Sequence, residues 1–145
     1  MQFNNITLMV RSDEREGGPE GITLLKIKKG EDKLKLLINQ ELHVYSIFPF
    51  FEDKDVMLTI SMGKLLENGN IEWSSALRFP ISIPFNQLKL ILGKYHYIST
   101  GLVNKIAIDY KGEGEYVLRG DYEIDDDKRT TWDYFKIVEE ELEIQ

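Results

Sequence analysis

Apolar and polar residues alternate every two positions along most of this chain, and this period predicts β-strands with one face on a core. The clearest apolar runs are Ile6 to Val10, Ile22 to Ile27, Leu34 to Val44, Val56 to Met62, Ile71 to Phe79 and Ile106 to Tyr110. Helical periodicity is scarce, which excludes a fold built from alternating strands and helices. The pattern therefore predicts an all-β protein.

Turn-forming residues divide these runs. Asn68-Gly69 predicts a β-hairpin, because both residues tolerate the positive φ angles of a tight turn. Gly112 to Gly114 predicts a second hairpin, and the polar run Ser12 to Gly21 predicts a loop. Pro80 and Pro84 cannot donate backbone hydrogen bonds, so the segment between them is expected on a sheet edge or outside the sheet.

Two segments are ambiguous. Asn86 to Leu92 fits either a short helical turn or another strand. In the segment Thr131 to Leu142, Trp132, Phe135 and Val138 have helical spacing, while Trp132 and Tyr134 alternate as in a strand. We favour a short C-terminal helix, because Glu139 to Leu142 are good helix formers.

About seven or eight strands separated by turns predict a two-sheet antiparallel sandwich, with a partly open barrel as the alternative. The length of 145 residues fits one domain spanning the whole chain, 1–145. No low-complexity linker or internal repeat divides it.

The order of these features resembles an uncharacterised family of small bacterial β-sandwich domains. The resemblance covers Asn4 to Glu123 and is carried by the segment 55–73 (DVMLTISMGKLLENGNIEW), by Phe79-Pro80-Ile81, and by the segment 101–123 with its turn Gly114-Glu115-Tyr116. The segment Pro80 to Leu92 and the acidic C-terminus lie outside it. The resemblance implies a sandwich fold and no activity.

The amino-acid composition further restricts the class of protein. Hydrophobic residues at 42% and charged residues at 30% are typical of a globular protein, and no apolar window is long enough for a membrane span. The absence of cysteine excludes disulfides and thiolate metal sites. The first residues have no secretory signal pattern, so we expect a cytoplasmic protein with no membrane contact.

The net charge of −7 lies entirely in the acidic C-terminal part of the chain. Residues 1–120 hold 15 acidic and 15 basic side chains, whereas residues 121–145 hold 10 acidic and 3 basic ones. No basic surface is available to neutralise a phosphate backbone, which argues against direct nucleic-acid binding. The acidic C-terminal segment 125–145 predicts that any charged partner is basic.

No catalytic or cofactor motif is present. The two histidines, His43 and His96, are far apart and are expected to be surface or packed side chains. No metal, nucleotide or nucleophile signature occurs, so the sequence predicts a protein that is not an enzyme and has no cofactor.

Aromatic and acidic side chains remain as candidates for partner binding. They are Phe48, Phe50, Phe51, Tyr95, Tyr97, Asp125, Asp126 and Asp127. The favoured hypothesis is a protein-interaction domain, with self-association also open. One alternative is a phage or mobile-element inhibitor that blocks a basic host protein with its acidic end, and another is a calcium- or carbohydrate-binding sandwich.

Overall fold

The computed structural model describes residues 1–11, 15–17, 23–28, 30 and 32–140. Their elements are eleven strands and one 3-10 turn at Phe85–Gln87. The strands are β1 Gln2–Arg11, β2 Arg15–Gly17, β3 Thr23–Lys28, β4 Lys33–Ser46, β5 Lys54–Leu65, β6 Ile71–Trp73, β7 Leu77–Ile83, β8 Lys89–Ile91, β9 Tyr95–Asp109, β10 Gly114–Ile124 and β11 Asp127–Glu140. Within these residues, no helix is long and apolar enough to cross a membrane.

The strands form two sheets. The four-stranded sheet has the order β1-β4-β9-β8, and the seven-stranded sheet has the order β2-β3-β11-β10-β5, with β6 and β7 both paired to β5. All pairs are antiparallel except β3 with β11, which run parallel. The predicted two-sheet sandwich is confirmed and the barrel is not formed, although the seven-stranded sheet is mixed and three three-residue strands, β2, β6 and β8, raise the strand count.

The core lies between the inward faces of the two sheets. The alternating residues of β4 and β5 point inward as predicted, and β10 and β11 supply the large aromatic side chains. Tyr116 stacks on Phe135 with ring centroids 5.9 Å apart, and Phe3 meets Tyr122 edge-on at 6.4 Å. Both aromatic pairs are buried, so they contribute a large part of the apolar area that stabilises the sandwich.

The predicted hairpin at Asn68-Gly69 is confirmed, but its turn differs from the expected one. The Gly69 N–H donates to the Leu66 carbonyl at 3.0 Å, and only Gly69 (φ 84°) has a positive φ in this turn. Asn68 Oδ1 instead accepts the Asn70 N–H at 3.0 Å. This is a three-residue connection closed by a left-handed glycine, a common alternative to the two-residue turn.

The predicted second hairpin is wrong. β9 and β10 flank the turn at Gly112 to Gly114, but β9 pairs with β4 and β8, whereas β10 pairs with β5 and β11. The turn therefore carries the chain from one sheet to the other. Glycine-rich turn chemistry reverses the chain direction but does not determine which strand the next segment pairs with.

The predicted C-terminal helix is also wrong, because β11 continues as a strand to Glu140. Its backbone is paired on both sides, with β10 and with β3. Phe135 and Ile137 are buried while Trp132 and Tyr134 face solvent, so the period is two. Burial between two neighbours outweighs the modest helix preference of the sequence.

Proline and turn positions follow the prediction more closely. Pro80 lies in β7, an edge strand paired only to β5, and the expected strand Ile71 to Phe79 is interrupted between β6 and β7. Asn86 to Leu92 contains both predicted alternatives, the end of the 3-10 turn and strand β8. Of the predicted loop Ser12 to Gly21, Arg15–Gly17 is strand β2, and residues 12–14 and 18–21 lie outside the described part.

Candidate interaction surfaces at one end of the sandwich

The predicted aromatic and acidic residues lie at the same end of the molecule. In the four-stranded sheet, Gln2 pairs with Tyr45 and Tyr45 with Tyr97, so these residues mark one end of the ladder. The Phe3 N–H donates to Asp127 at 2.9 Å, which places the β10–β11 turn at this end too. Phe3 and Asp127 are 124 residues apart in the sequence, and the strand pairings bring such distant groups together.

Leu92 forms the tip of the β8–β9 hairpin at this end. It has a φ of 54°, in the left-handed region, and its side chain is 88% exposed. The following Gly93 has a φ of 62°, and the Lys94 N–H donates to the Ile91 carbonyl at 3.1 Å. A left-handed leucine costs about 1 kcal/mol or more relative to glycine, so the fold holds an apolar side chain in solvent in a strained conformation.

A shallow groove of about 360 Å³ lies beside this tip. Tyr45 and Tyr95 meet edge-on with centroids 5.9 Å apart, and the Lys94 ammonium lies 5.3 Å from the Tyr95 ring centroid. The remaining lining residues are Gln2, Asn4, Ile47, Ile91, Leu92 and Tyr97. Of the predicted residues, Tyr95 and Tyr97 are thus half-buried walls of this groove.

The segment between β4 and β5 carries the other predicted aromatics. Phe48 is 78% exposed and Phe51 is 81% exposed, whereas Phe50 is half-buried. Ser46 Oγ donates to the Phe48 carbonyl at 2.8 Å, which anchors the segment at its β4 end. The Phe85 N–H donates to Asp53 Oδ1 at 3.2 Å and anchors its other end. The two exposed rings therefore project from a segment that is tied down on both sides.

We use the name apolar end surface for six of the large apolar residues exposed at this end: Ile47, Phe48, Phe51, Leu90, Ile91 and Leu92. Only Phe48 and Phe51 were predicted from the sequence. Leu90 and Ile91 were missed because their strand, β8, has the composition of an ordinary buried strand, and Ile47 because nothing in the sequence distinguishes it from the apolar residues of β4 before it. The one available signal was the run Leu90-Ile91-Leu92 directly before Gly93, which places large apolar residues against a turn.

The acidic turn between β10 and β11 uses its carboxylates within the protein. Asp125 Oδ2 lies 3.1 Å from the Met1 ammonium, and Asp127 accepts from Arg129 Nε at 3.0 Å as well as from the Phe3 N–H. Asp126 is exposed. Among the described residues, no three histidine or carboxylate groups are arranged to hold a metal ion. Residues 141–145 of the acidic segment lie outside the described part.

The environment of Asp127 shifts its titration. Burial by itself raises the pKa of the Asp127 carboxyl, but the Phe3 N–H and Arg129 outweigh it, so the pKa lies below its usual value. A depressed folded-state pKa means that this carboxylate stabilises the fold above the ordinary aspartate pKa of about 4. The stabilisation is lost as the pH falls through the lower, folded-state pKa.

Replacing Asp127 with asparagine should therefore flatten the acid limb of the stability curve. We expect the wild type to lose stability through this group as the pH falls below the ordinary aspartate pKa of about 4, and the variant to lose less. Urea unfolding followed by circular dichroism across this range measures the difference. Asp126→Asn, in the same turn but exposed, is the matched control, and an equal effect of both variants would contradict the assignment.

A second aromatic cluster, not predicted from the sequence, lies on the outer face of the seven-stranded sheet. Trp73 and Trp132 have centroids 6.1 Å apart, and the Arg119 guanidinium lies 5.0 Å from the Trp132 ring centroid. Val117 points to this face yet is fully buried, and it does not belong to the central core cluster. Trp73 pairs with Gly63, the neighbour of Val117 on β5. Trp132 lies two residues from Tyr134, the neighbour of Val117 on β11. Both rings therefore lie on the face that buries Val117, which gives them a structural role.

The histidines are placed as expected for packed residues. His43 Nδ1 hydrogen-bonds to the Tyr97 hydroxyl, and its Nε2 lies 3.8 Å from Glu41. His96 is half-buried on β9, paired with Ser46. His43 thus has a structural partner on the neighbouring strand.

No protein-family model and no curated protein sequence matches this chain. Among solved structures, it is similar to part of the Pseudomonas fluorescens alkylpurine DNA glycosylase AlkC bound to DNA containing an abasic site analog, with 12% identity and a TM-score of 0.41. It is also similar to part of a family 123 glycoside hydrolase from Clostridium perfringens, with 11% identity and a TM-score of 0.29. The alignments cover 91% and 93% of this chain but 29% and 28% of those chains.

The chain thus spans less than a third of either of these enzymes. At these scores, neither likeness carries an argument about activity. The resemblance to a family of small bacterial sandwich domains is not tested by these comparisons and stays a prediction.

Proposed function

We propose that this protein is a non-enzymatic interaction domain that binds a partner protein through the apolar end surface. The observation that carries the proposal is the exposure of Phe48, Phe51 and Leu92 at one end of the sandwich, since these three are the most exposed of the large apolar residues described. Large apolar side chains clustered on a surface are typical of binding sites, and aromatic anchors often dominate the binding energy.

The backbone of Leu92 supports the same proposal. Glycine or asparagine at this position would adopt the left-handed conformation at lower cost, and either would remove the apolar side chain from solvent. A leucine there lowers the stability of the free protein without a compensating contact. Strain of this kind is common where a side chain is held ready for a ligand.

The charges around the apolar end surface indicate the chemistry of the partner. Glu52, Asp53, Asp55 and Asp126 are exposed at this end, and so are Lys89, Lys94, Lys128 and Arg129. An apolar centre with a rim of both charges fits a partner that presents apolar side chains within a charged surface. The inhibitor hypothesis is one form of this proposal, in which the partner is a basic host protein.

The apolar and acidic contributions predict different salt dependence. Contacts between exposed charges are screened at high ionic strength, whereas apolar burial is not. Since Asp125 and Asp127 already have partners within the chain, we expect the apolar contacts to dominate. The calcium- or carbohydrate-binding alternative has no observation of its own in the described residues, and it stays a prediction.

The test is capture of the partner by tagged wild-type protein, followed by affinity measurement with the purified partner. Phe48→Ser combined with Phe51→Ser should weaken binding about 30-fold or more, because two aromatic anchors are lost. Leu92→Gly should weaken binding while keeping or slightly raising thermal stability, because it removes the side chain and relieves the backbone.

Met9→Ser is the matched control, since Met9 is also an exposed apolar residue (46%) but lies on the outer face of β1. Unchanged affinity in Met9→Ser and weaker affinity in the other variants supports the proposal. If the end-surface variants bind as tightly as wild type, or if binding disappears at high salt in wild type, the apolar end surface is not the principal binding site.

A further inference from the structure

Within the described residues, a long stretch of strand β9 has a paired strand on only one side. On one side, the whole of β4 pairs with β9. On the other side, β8 pairs only with Tyr95 to Tyr97 of β9. No described strand pairs with Ile98 to Asp109 on that side. The backbone N–H and C=O groups directed there lack strand partners and form a template for a further strand.

Two other edge strands, β1 and β7, are protected by side chains or by proline. The Phe3 N–H of β1 donates to Asp127, and the Val10 N–H donates to Asp133 Oδ2 at 2.8 Å. Arg129 Nη2 donates to the Phe3 carbonyl at 3.4 Å. Both carboxylates and the guanidinium belong to β11, so they cap the free edge of β1 from the other sheet. In β7 the protection comes from Pro80, which cannot donate to an added strand.

The open edge of β9 has few such protective features. It contains no proline, and its charged residues are Lys105 and Asp109. Val103, in the middle of the edge, is 60% exposed, and Gly101 adds no side chain that would block an approaching strand. A long edge of this kind is a predicted site of strand addition.

From this contrast we infer that a second copy of this chain adds to β9, with the two β9 strands antiparallel about a two-fold axis at Asn104. β8 blocks the edge up to Tyr97, and β9 ends at Asp109. Between these limits two equally long stretches can pair with themselves, Ser99 to Asp109 with its midpoint at Asn104 and Ile98 to Ile108 with its midpoint at Val103. The first is favoured, because the second would place Leu102 opposite the Asn104 amide. The pairing joins the two four-stranded sheets into one, on a surface separate from the apolar end surface.

The sequence of the edge is complementary to itself in this register. On the inner face, Leu102 lies opposite Ile106 of the second copy and Thr100 opposite Ile108, so apolar groups meet. On the outer face, Lys105 lies opposite Val103 of the second copy, and Asp109 opposite Ser99. No two like charges lie directly opposite each other.

Asn104 supplies a polar contact at the axis. Its Oδ1 accepts from Gln40 Nε2 at 2.7 Å, and its side chain is half-buried on the inner face of the edge strand. A carboxamide also has two N–H donors, which in the pairing face Asn104 of the second copy across the axis. A reciprocal amide contact at a symmetry axis fixes the register, because a shifted pairing would place an apolar residue against the amide.

Charge variants of Val103 test the register directly. Val103→Lys places lysine opposite Lys105 of the other copy at two symmetric positions and should weaken the dimer about tenfold or more. Val103→Glu places opposite charges there and should tighten it. Sedimentation equilibrium over a range of protein concentrations measures both dissociation constants. Met9→Lys, on the same sheet face but on the capped edge, should leave the dimer unchanged.

Cysteine cross-linking tests the same geometry, and the chain has no cysteine of its own to interfere. A Val103→Cys chain mixed with a differently tagged Lys105→Cys chain should form a mixed disulfide, because directly opposed Cβ atoms lie about 5 Å apart. Val103→Cys mixed with Met9→Cys should not. The inference would be overturned if the wild type were monomeric, or if Val103→Lys and Val103→Glu weakened the dimer alike. The open edge of β9 would then be a candidate binding site for a different protein.

Discussion

Replacing Gly120 with valine is expected to destabilise the fold by about 3 kcal/mol or more. Gly120 is buried on the inner face of β10, and a Cβ there would lie 2.8 Å from Tyr122 Cε2 and 3.0 Å from Leu8 Cδ2. Both neighbours are buried, so neither ring nor methyl group can move aside without disturbing the packing between the sheets. Chemical denaturation followed by tryptophan fluorescence gives the difference in the free energy of unfolding.

Gly101→Ala is the matched control for Gly120→Val. Gly101 also lies within a strand, but a Cβ there would have only the Gln40 carbonyl oxygen nearby, at 4.0 Å. Because alanine lowers the conformational entropy of the unfolded chain, we expect this variant to be neutral or slightly more stable. If Gly120→Val and Gly101→Ala had similar stabilities, the close packing of Tyr122 and Leu8 over Gly120 would be wrong.

Replacing Gln40 with alanine is expected to cost about 3 kcal/mol, the second large effect. Gln40 is only 3% exposed, accepts the Tyr122 hydroxyl at its Oε1, and donates to Asn104. Its removal leaves a cavity and an unpaired hydroxyl within the core. Burial raises the pKa of Tyr122, so the hydroxyl remains a neutral donor that loses its observed acceptor in the variant.

A double-mutant cycle separates the hydrogen bond from the cavity. Tyr122→Phe leaves Gln40 Oε1 unpaired, and Gln40→Leu leaves the Tyr122 hydroxyl unpaired, so each should destabilise by about 1–3 kcal/mol. The double variant removes both polar partners and should cost less than the sum of the two. Additive costs would show that the two side chains do not interact. The free energies of unfolding come from urea titrations of the four proteins.

Predicted binding residues of the same type differ in exposure and in hydrogen bonding, and composition alone does not predict these differences. The run Phe48-Pro49-Phe50-Phe51 places three similar rings within four residues, yet Phe48 and Phe51 are exposed and Phe50 is half-buried. Asp125, Asp126 and Asp127 are chemically identical, but only Asp126 lacks a role in the hydrogen bonds and ion pairs that tie the turn to β1 and Arg129. Neighbouring residues in a loop differ in exposure because the loop is positioned by distant strands.

The sequence by itself determined the fold class and most of the central strands. In β4 and β5, side chains alternate between the two faces of a sheet, so a two-residue period directly reports which residues face the core. The Asn68-Gly69 hairpin could also be predicted from local sequence, because the backbone conformation of a short turn depends on the residues within it. Pro80 likewise restricted its segment to an edge, since the missing donor is a property of the residue itself.

Only the tertiary structure decided how the strands are partnered. β11 is a strand because β3 and β10 pair with both of its sides, and β9 and β10 separate because they pair in different sheets. These pairings bring Leu92, Phe48 and the acidic turn to one end of the molecule. They also leave one edge of β9 open. Strand pairing is a contact between segments far apart in the chain, and its energy depends on burial and register that no local pattern contains.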